Sequence, residues 1–265
     1  MIVDHERFAR AVDGFDAANG EDPNGEPVDG VLRPKELLYA ERMTAMLARF
    51  APDASEVVRL AARCQHIQRW KIPRADYPLT RVGYHQWRLR LRDFHADLAA
   101  TILREAGYDD ATIARVRSLI RKEALKTDPE AQALEDVVDL TFLESYLADF
   151  VAKHAGYDEA KFVDILKKTA KKMSPRGRAA VLTLISPPAA LLPVIRKALD
   201  EAGAAAGPRE PGAAAARAHG RRATSAQRGA FHSGERADEH GSEGALGDGL
   251  SDQAAERGQL VPPAP

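Results

Sequence analysis

Apolar residues along the first 203 positions recur at intervals of three and four, the spacing of helices that bury one face. Val57, Leu60, Ala61 and Cys64 form one such stripe within EVVRLAARCQHIQRW. Trp87, Leu91, Phe94, Leu98 and Ile102 form another between His85 and Ala106, with Gly107 as its stop. No stretch alternates convincingly with a period of two, and no internal repeat is visible. The pattern therefore predicts an all-α domain over 1–203, built from about eight to nine helices.

Asp4 caps a first helix that runs to about Ala18, and NGEDPNGEPVDGVLRP reads as a turn-rich loop ending at Pro34. A helix over 34–50 follows, broken by APDAS ahead of the EVVRLAARCQHIQRW helix. Pro73 and Pro78 impose an irregular connection to the long His85–Ala106 helix. The next helix opens at Asp109 or Asp110 and carries Ile113, Val116 and Ile120. KTDPE separates it from a helix over 129–153 that is apolar on most sides, which places it at the centre of the domain. A Gly156–Asp158 turn starts EAKFVDILKKTAKKM, and SPRGR and SPP punctuate two short final helices that end near Gly203.

Beyond that point the composition changes. Residues 204–265 contain one aromatic residue, Phe231, and no lysine, isoleucine, tyrosine or tryptophan. Such a segment buries too little apolar surface to offset its ordering entropy, so a disordered tail is expected. The formal net charge of −1 over 265 residues gives no global attraction to nucleic acid or membrane. A single cysteine, Cys64, and the absence of an apolar stretch near Met1 fit a cytoplasmic protein, and no run is long enough to span a membrane.

Charge is concentrated locally. Between Gln65 and Arg92 stand seven cations (Arg69, Lys71, Arg74, Arg81, Arg88, Arg90 and Arg92) and only one acid, Asp76. Arginine forks suit phosphate, and Trp70 and Trp87 beside them suit stacking on a base. The competing reading has Arg88 and Arg92 paired with Glu41, Asp93 or Asp97. Lys167, Lys168, Lys171 and Lys172 form a basic helix end, read as a solvated face. His66 closes a buried helix, His95 lies on the long one, and Asp136 sits in an apolar helix where an unpaired carboxylate is costly. If the three converge, the set suits Zn, Mn, Fe or Ni.

The run FHADLAATILREAGYDDATIARVRSLIRKEALKTDPEAQALEDVVDL resembles the second half of the HD-domain phosphohydrolases, and EVVRLAARCQHIQRW resembles the helix bearing their His-Asp pair. The resemblance implies metal-binding roles for His66, His95 and Asp136. The pair reads Gln65-His66 here, and the 34–50 helix offers Glu36, Tyr39 and Glu41 where a histidine would stand. NGEDPNG, PKELLYAERM, CQHIQRW, IPRADYP, GYHQW, LEDVVDLTFLE and KKMSPRG together are similar to the family of unknown function DUF4202, over about 1–201.

Two functions are expected from this. In the first, a metal-dependent phosphohydrolase acts on a nucleotide or another small phosphorylated metabolite. A single divalent transition metal on His66, His95 and Asp136 activates water, with His66 and Glu41 catalytic, while Arg69, Trp70, Arg74, Arg81, Trp87 and Arg88 bind the substrate. In the second, a catalytically degenerate HD-like module without metal binds nucleotide, RNA or a partner protein through the same loop. No membrane partner is expected in either.

Overall fold

Helix starts in this chain are set by short polar caps. Ser55, Thr80, Asp109, Asp128, Asp158 and Ser174 each accept a backbone N–H from the first turn that follows, and Pro129 and Pro175 occupy first-turn positions that need no donor. The computed structural model describes residues 5–125 and 127–204. It contains α1 (His5–Gly20), β1 (Gly25–Val28), β2 (Val31–Pro34), α2 (Lys35–Phe50), α3 (Glu56–Arg63) and α4 (Arg81–Glu105). These are followed by α5 (Asp110–Arg121), α6 (Pro129–Ser145), α7 (Leu147–Lys153), α8 (Glu159–Lys172), α9 (Pro175–Thr183) and α10 (Leu192–Ala204). The Asp4 cap and the tail after Ala204 lie outside the described residues.

The all-α expectation is met, with ten α-helices among the described residues and one small hairpin. The hairpin corrects the reading of 19–34 as loop. Asp29 and Gly30 both take positive φ, 50° and 79°, which is the turn that Asp-Gly favours between two short strands. Gly25 pairs with Pro34 and Val28 with Val31. Strands of four residues, each containing a proline, are too short to show alternation. Ion pairs from Arg33 to Glu41 and from Arg42 to Glu26, both 2.7 Å, pin the hairpin to α2.

The helix expected over 129–153 is two helices, because the backbone leaves helical geometry at Tyr146 (φ −126°, ψ −12°). There the Tyr146 ring sits 6.0 Å from that of Tyr39, under the Arg42 guanidinium. The long helix starts at Arg81 rather than His85, since Thr80 caps it through Gly83 N. α6 runs through the centre: Leu134 to Leu143 are all buried, and the apolar residues among them join a cluster that draws on every helix from α1 to α10.

Gly83 marks the tightest approach between α4 and the loop before it. A Cβ there would lie 2.3 Å from the Pro78 carbonyl oxygen, whereas one at Gly20 would meet nothing within 4 Å. Gly83→Ala is expected to destabilise the protein by about 1–3 kcal/mol in urea unfolding. Gly20→Ala is expected to be neutral or mildly stabilising.

Candidate functional site

α3 stops at Arg63, short of His66, where the sequence pattern places its end, because neighbouring side chains take the backbone groups that would extend it. Asn19 Oδ1 of α1 accepts from Gln68 N at 2.9 Å, and the Ile67 carbonyl accepts from His95 Nδ1 at 2.8 Å. Gln68 turns the chain through a left-handed conformation (φ 49°). Those turns present Gln65, His66 and Arg69 toward α4, which contributes Arg88, Leu91, Arg92 and His95 from successive turns of one face. Lys122, in a left-handed conformation (φ 58°) just past the end of α5, completes the enclosure with Ile120.

These residues line a cavity in which ≈ 20 Å³ is open to the centre of a water molecule, about what one or two waters need. Counted out to solvent, the void between the side chains is ≈ 270 Å³. The enclosed part is thus far below the roughly 300–1,000 Å³ of pockets that enclose a whole drug-sized ligand, and a group larger than water enters only if the long side chains of Arg88, Arg92 and Lys122 swing outward.

Both histidines are held neutral. Burial, then the Arg69 charge, drives the His95 imidazole down to about 3. Burial also drives His66 well below the ordinary histidine range, and the charges of Arg69, His95, Arg88 and Lys122 push the same way. His66 stacks on Tyr39 at 4.3 Å with the planes 12° apart, and its ring centre is 6.0 Å from that of His95. Because His95 Nδ1 faces a carbonyl, it carries the proton, and Nε2 is left as a lone-pair acceptor. That nitrogen is buried and has no hydrogen-bond partner. Arg69, 5% exposed, lies 4.7 Å over the Trp87 ring.

Behind the cavity runs a buried charge chain. Lys122 Nζ is 2.5 Å from Glu135 Oε2, Glu135 Oε1 is 3.0 Å from Lys172 Nζ, and Lys172 reaches Asp139 Oδ1 at 3.1 Å. Burial pushes the Asp139 carboxyl up, against the pull of Lys172.

The His66/His95/Asp136 metal set is not assembled. Asp136 points to the start of α9, where its Oδ1 accepts from Ser174 N at 2.8 Å and its Oδ2 from Ser174 Oγ at 2.5 Å, with Gln132 Nε2 at 3.1 Å. The expected cost of burying this carboxylate is met by hydrogen bonds rather than by a cation. Among the described residues no three His, Cys, Asp or Glu side chains are grouped so as to hold a metal ion. The donors expected from the HD resemblance therefore do not fit a metal centre.

Glu41, expected as a base or ligand, pairs with Arg33 outside the cavity. Arg74 donates to the carbonyls of Tyr77 and Pro78 and so ties down its own loop. Trp87 is fully buried with Nε1 on the Ile72 carbonyl, so no base can stack on it. Half-buried Trp70 and exposed Arg81 do not line the cavity. Asp93 pairs with Arg121, and Asp97 with Arg117 and Arg121. Lys172 is only partly exposed and turns inward to Glu135 and Asp139, Lys171 is exposed as a solvated face requires, and Lys167 and Lys168 pair with Glu201 and Asp164. Cys64 is fully buried, burial pushes its thiol up, and Sγ donates to the Leu60 carbonyl.

Of the predicted site residues, the structure brings together His66, Arg69, Arg88 and His95. Gln65, Arg92 and Lys122 join them in the lining, with Tyr39 behind His66. Arg92 was readable from the Arg88, Arg92, His95 spacing along one helix. Lys122 had no sequence signal, since its direction depends on the left-handed turn after α5.

Two measurements check this arrangement. Asp136→Ala is expected to cost about 1–3 kcal/mol of stability through the lost contacts to Ser174, by the same amount with and without a chelator. Glu36 is buried beside Arg69, and burial raises its carboxyl from 4.5 to about 7. The folded protein thus holds that proton more tightly than the unfolded chain does. The stability from protonated Glu36 is fully present below about 4.5 and is lost as pH rises through about 7. The stability of the wild type relative to Glu36→Gln should fall across that window in urea titrations.

No curated protein and no solved structure matches the chain. The sequence model of a domain of unknown function, DUF4202, matches residues 9–195, a span that contains every residue of the cavity, and the chain belongs to that family.

Proposed function

We propose that the protein binds the phosphate group of a small phosphorylated metabolite in the cavity between α3, α4 and α5, without metal-dependent turnover. The observation that carries this reading is the placement of Arg69, Arg88, Arg92 and Lys122 around two neutral histidines at a small cavity that is partly open to solvent. A low-dielectric setting strengthens the attraction between such cations and an anion, and arginine forks suit tetrahedral oxygens.

Turnover is a poorer fit to the same geometry. An imidazole whose pKa lies near 3 is a weak general base at neutral pH, and Glu41 stands outside the cavity. The small lining favours the phosphate end of a ligand, with the remainder outside past α4. The Trp87 face is covered by Arg69, which weakens the case for a stacked base or for RNA. The single, buried Cys64 supports a cytoplasmic setting, and among the described residues no helix is long and apolar enough to cross a membrane.

Calorimetric titration with inorganic phosphate and a panel of phosphomonoesters tests the reading. Binding is expected at millimolar concentration or below. Arg88→Ala and Arg92→Ala should each weaken it by roughly ten- to a hundredfold, the cost of losing a charge-assisted hydrogen bond. Absence of binding, or affinity unchanged in both variants, would overturn the proposal.

A further inference from the structure

The cavity is not lined by cations alone. An anion with only acceptor atoms would be attracted by the positive charge of the lining, yet it would leave His95 Nε2 without a hydrogen bond. That nitrogen is buried on a residue only 3% exposed, and its tautomer is fixed from the far side of the ring by the Ile67 carbonyl at 2.8 Å. It can accept and cannot donate. Gln65 Oε1 is a second buried acceptor without a partner in the same lining. A buried acceptor left unpaired costs free energy, so a ligand that brings a donor gains over one that does not.

We propose that the site selects an oxyanion that keeps an acidic hydroxyl near neutral pH, a hydrogen phosphate group, and that His95 Nε2 accepts its proton in a hydrogen bond. The cations neutralise the charged oxygens, and the imidazole reads the protonated one. Sulfate has the same shape but carries no proton near neutrality, so the site discriminates against it. His95 is in this scheme a specificity residue. The inference rests on the phosphate-binding reading given above and goes beyond it by naming the protonation state that is recognised.

The full chain titrated with inorganic phosphate, methyl phosphate and sulfate at one near-neutral pH tests this, with the ¹⁵N resonance of His95 Nε2 followed in the same samples. Phosphate is expected to bind at least about tenfold more tightly than sulfate. It should also move the Nε2 resonance toward that of a hydrogen-bonded acceptor, which sulfate should not do. Methyl phosphate giving the same response with uptake of a proton on binding, since its second pKa is about 6, supports the assignment with a monoester as the source. Methyl phosphate binding more weakly than inorganic phosphate supports it with the free ion as the source.

His95→Asn, checked for folding by circular dichroism, should narrow the preference for phosphate over sulfate. The wild-type resonance carries the test if that variant fails to fold. Equal binding of phosphate and sulfate with an unmoved Nε2 resonance would overturn the selectivity and leave the phosphate-binding reading standing. No binding of any of the three would overturn both.

Discussion

The hydrogen bond from His95 Nδ1 to the Ile67 carbonyl is the constraint on which the site depends. It joins the middle of α4 to the turn after α3 and uses a carbonyl that a longer α3 would have kept for itself. It also decides which nitrogen of His95 carries the proton. With the bond from Gln68 N to Asn19, it brings α1, α3 and α4 to a common point. The approach of Arg69 to the Trp87 face, and of His66 to Tyr39, follows from that turn.

The second organising fact is how charge is buried. On one side of α6, Asp136 is satisfied by neutral donors at the head of α9. On the other, Glu135 and Asp139 meet lysines from α5 and α8. A buried carboxylate without such partners would be strongly unfavourable, and the helix with the most apolar surroundings is the one that carries three of them. These acids fix how the later helices dock on α6. None of them supplies the cavity with a metal ligand.

Much of the helical framework was legible because apolar periodicity and caps are local properties. Pro34, Asp109, Asp128, Asp158 and Ser174 mark boundaries that the structure keeps within a residue or two. The hairpin was missed although Asp29-Gly30 named its turn, since its strands are too short for a period to show. The end of α3 was missed for a different reason: nothing in residues 64–70 forbids helix, and only side chains from α1 and α4 take the carbonyl and amide that a helix needs. For the site, position along the helices identified His66, His95 and Arg88 as neighbours. The direction in which Asp136 points was not legible, because Glu135, Asp136 and Asp139 are chemically alike and differ only in the face they occupy.

Glu135 is shared by two lysines that arrive from opposite directions, Lys122 from the cavity and Lys172 from the end of α8. Losing either lysine leaves part of a buried carboxylate uncompensated, and losing Glu135 strands two cations. The three positions are therefore energetically coupled. A substitution on the cavity wall at residue 122 is felt in the body of the fold at 135 and 172. Change in the scaffold is thereby tied to change in the cavity wall.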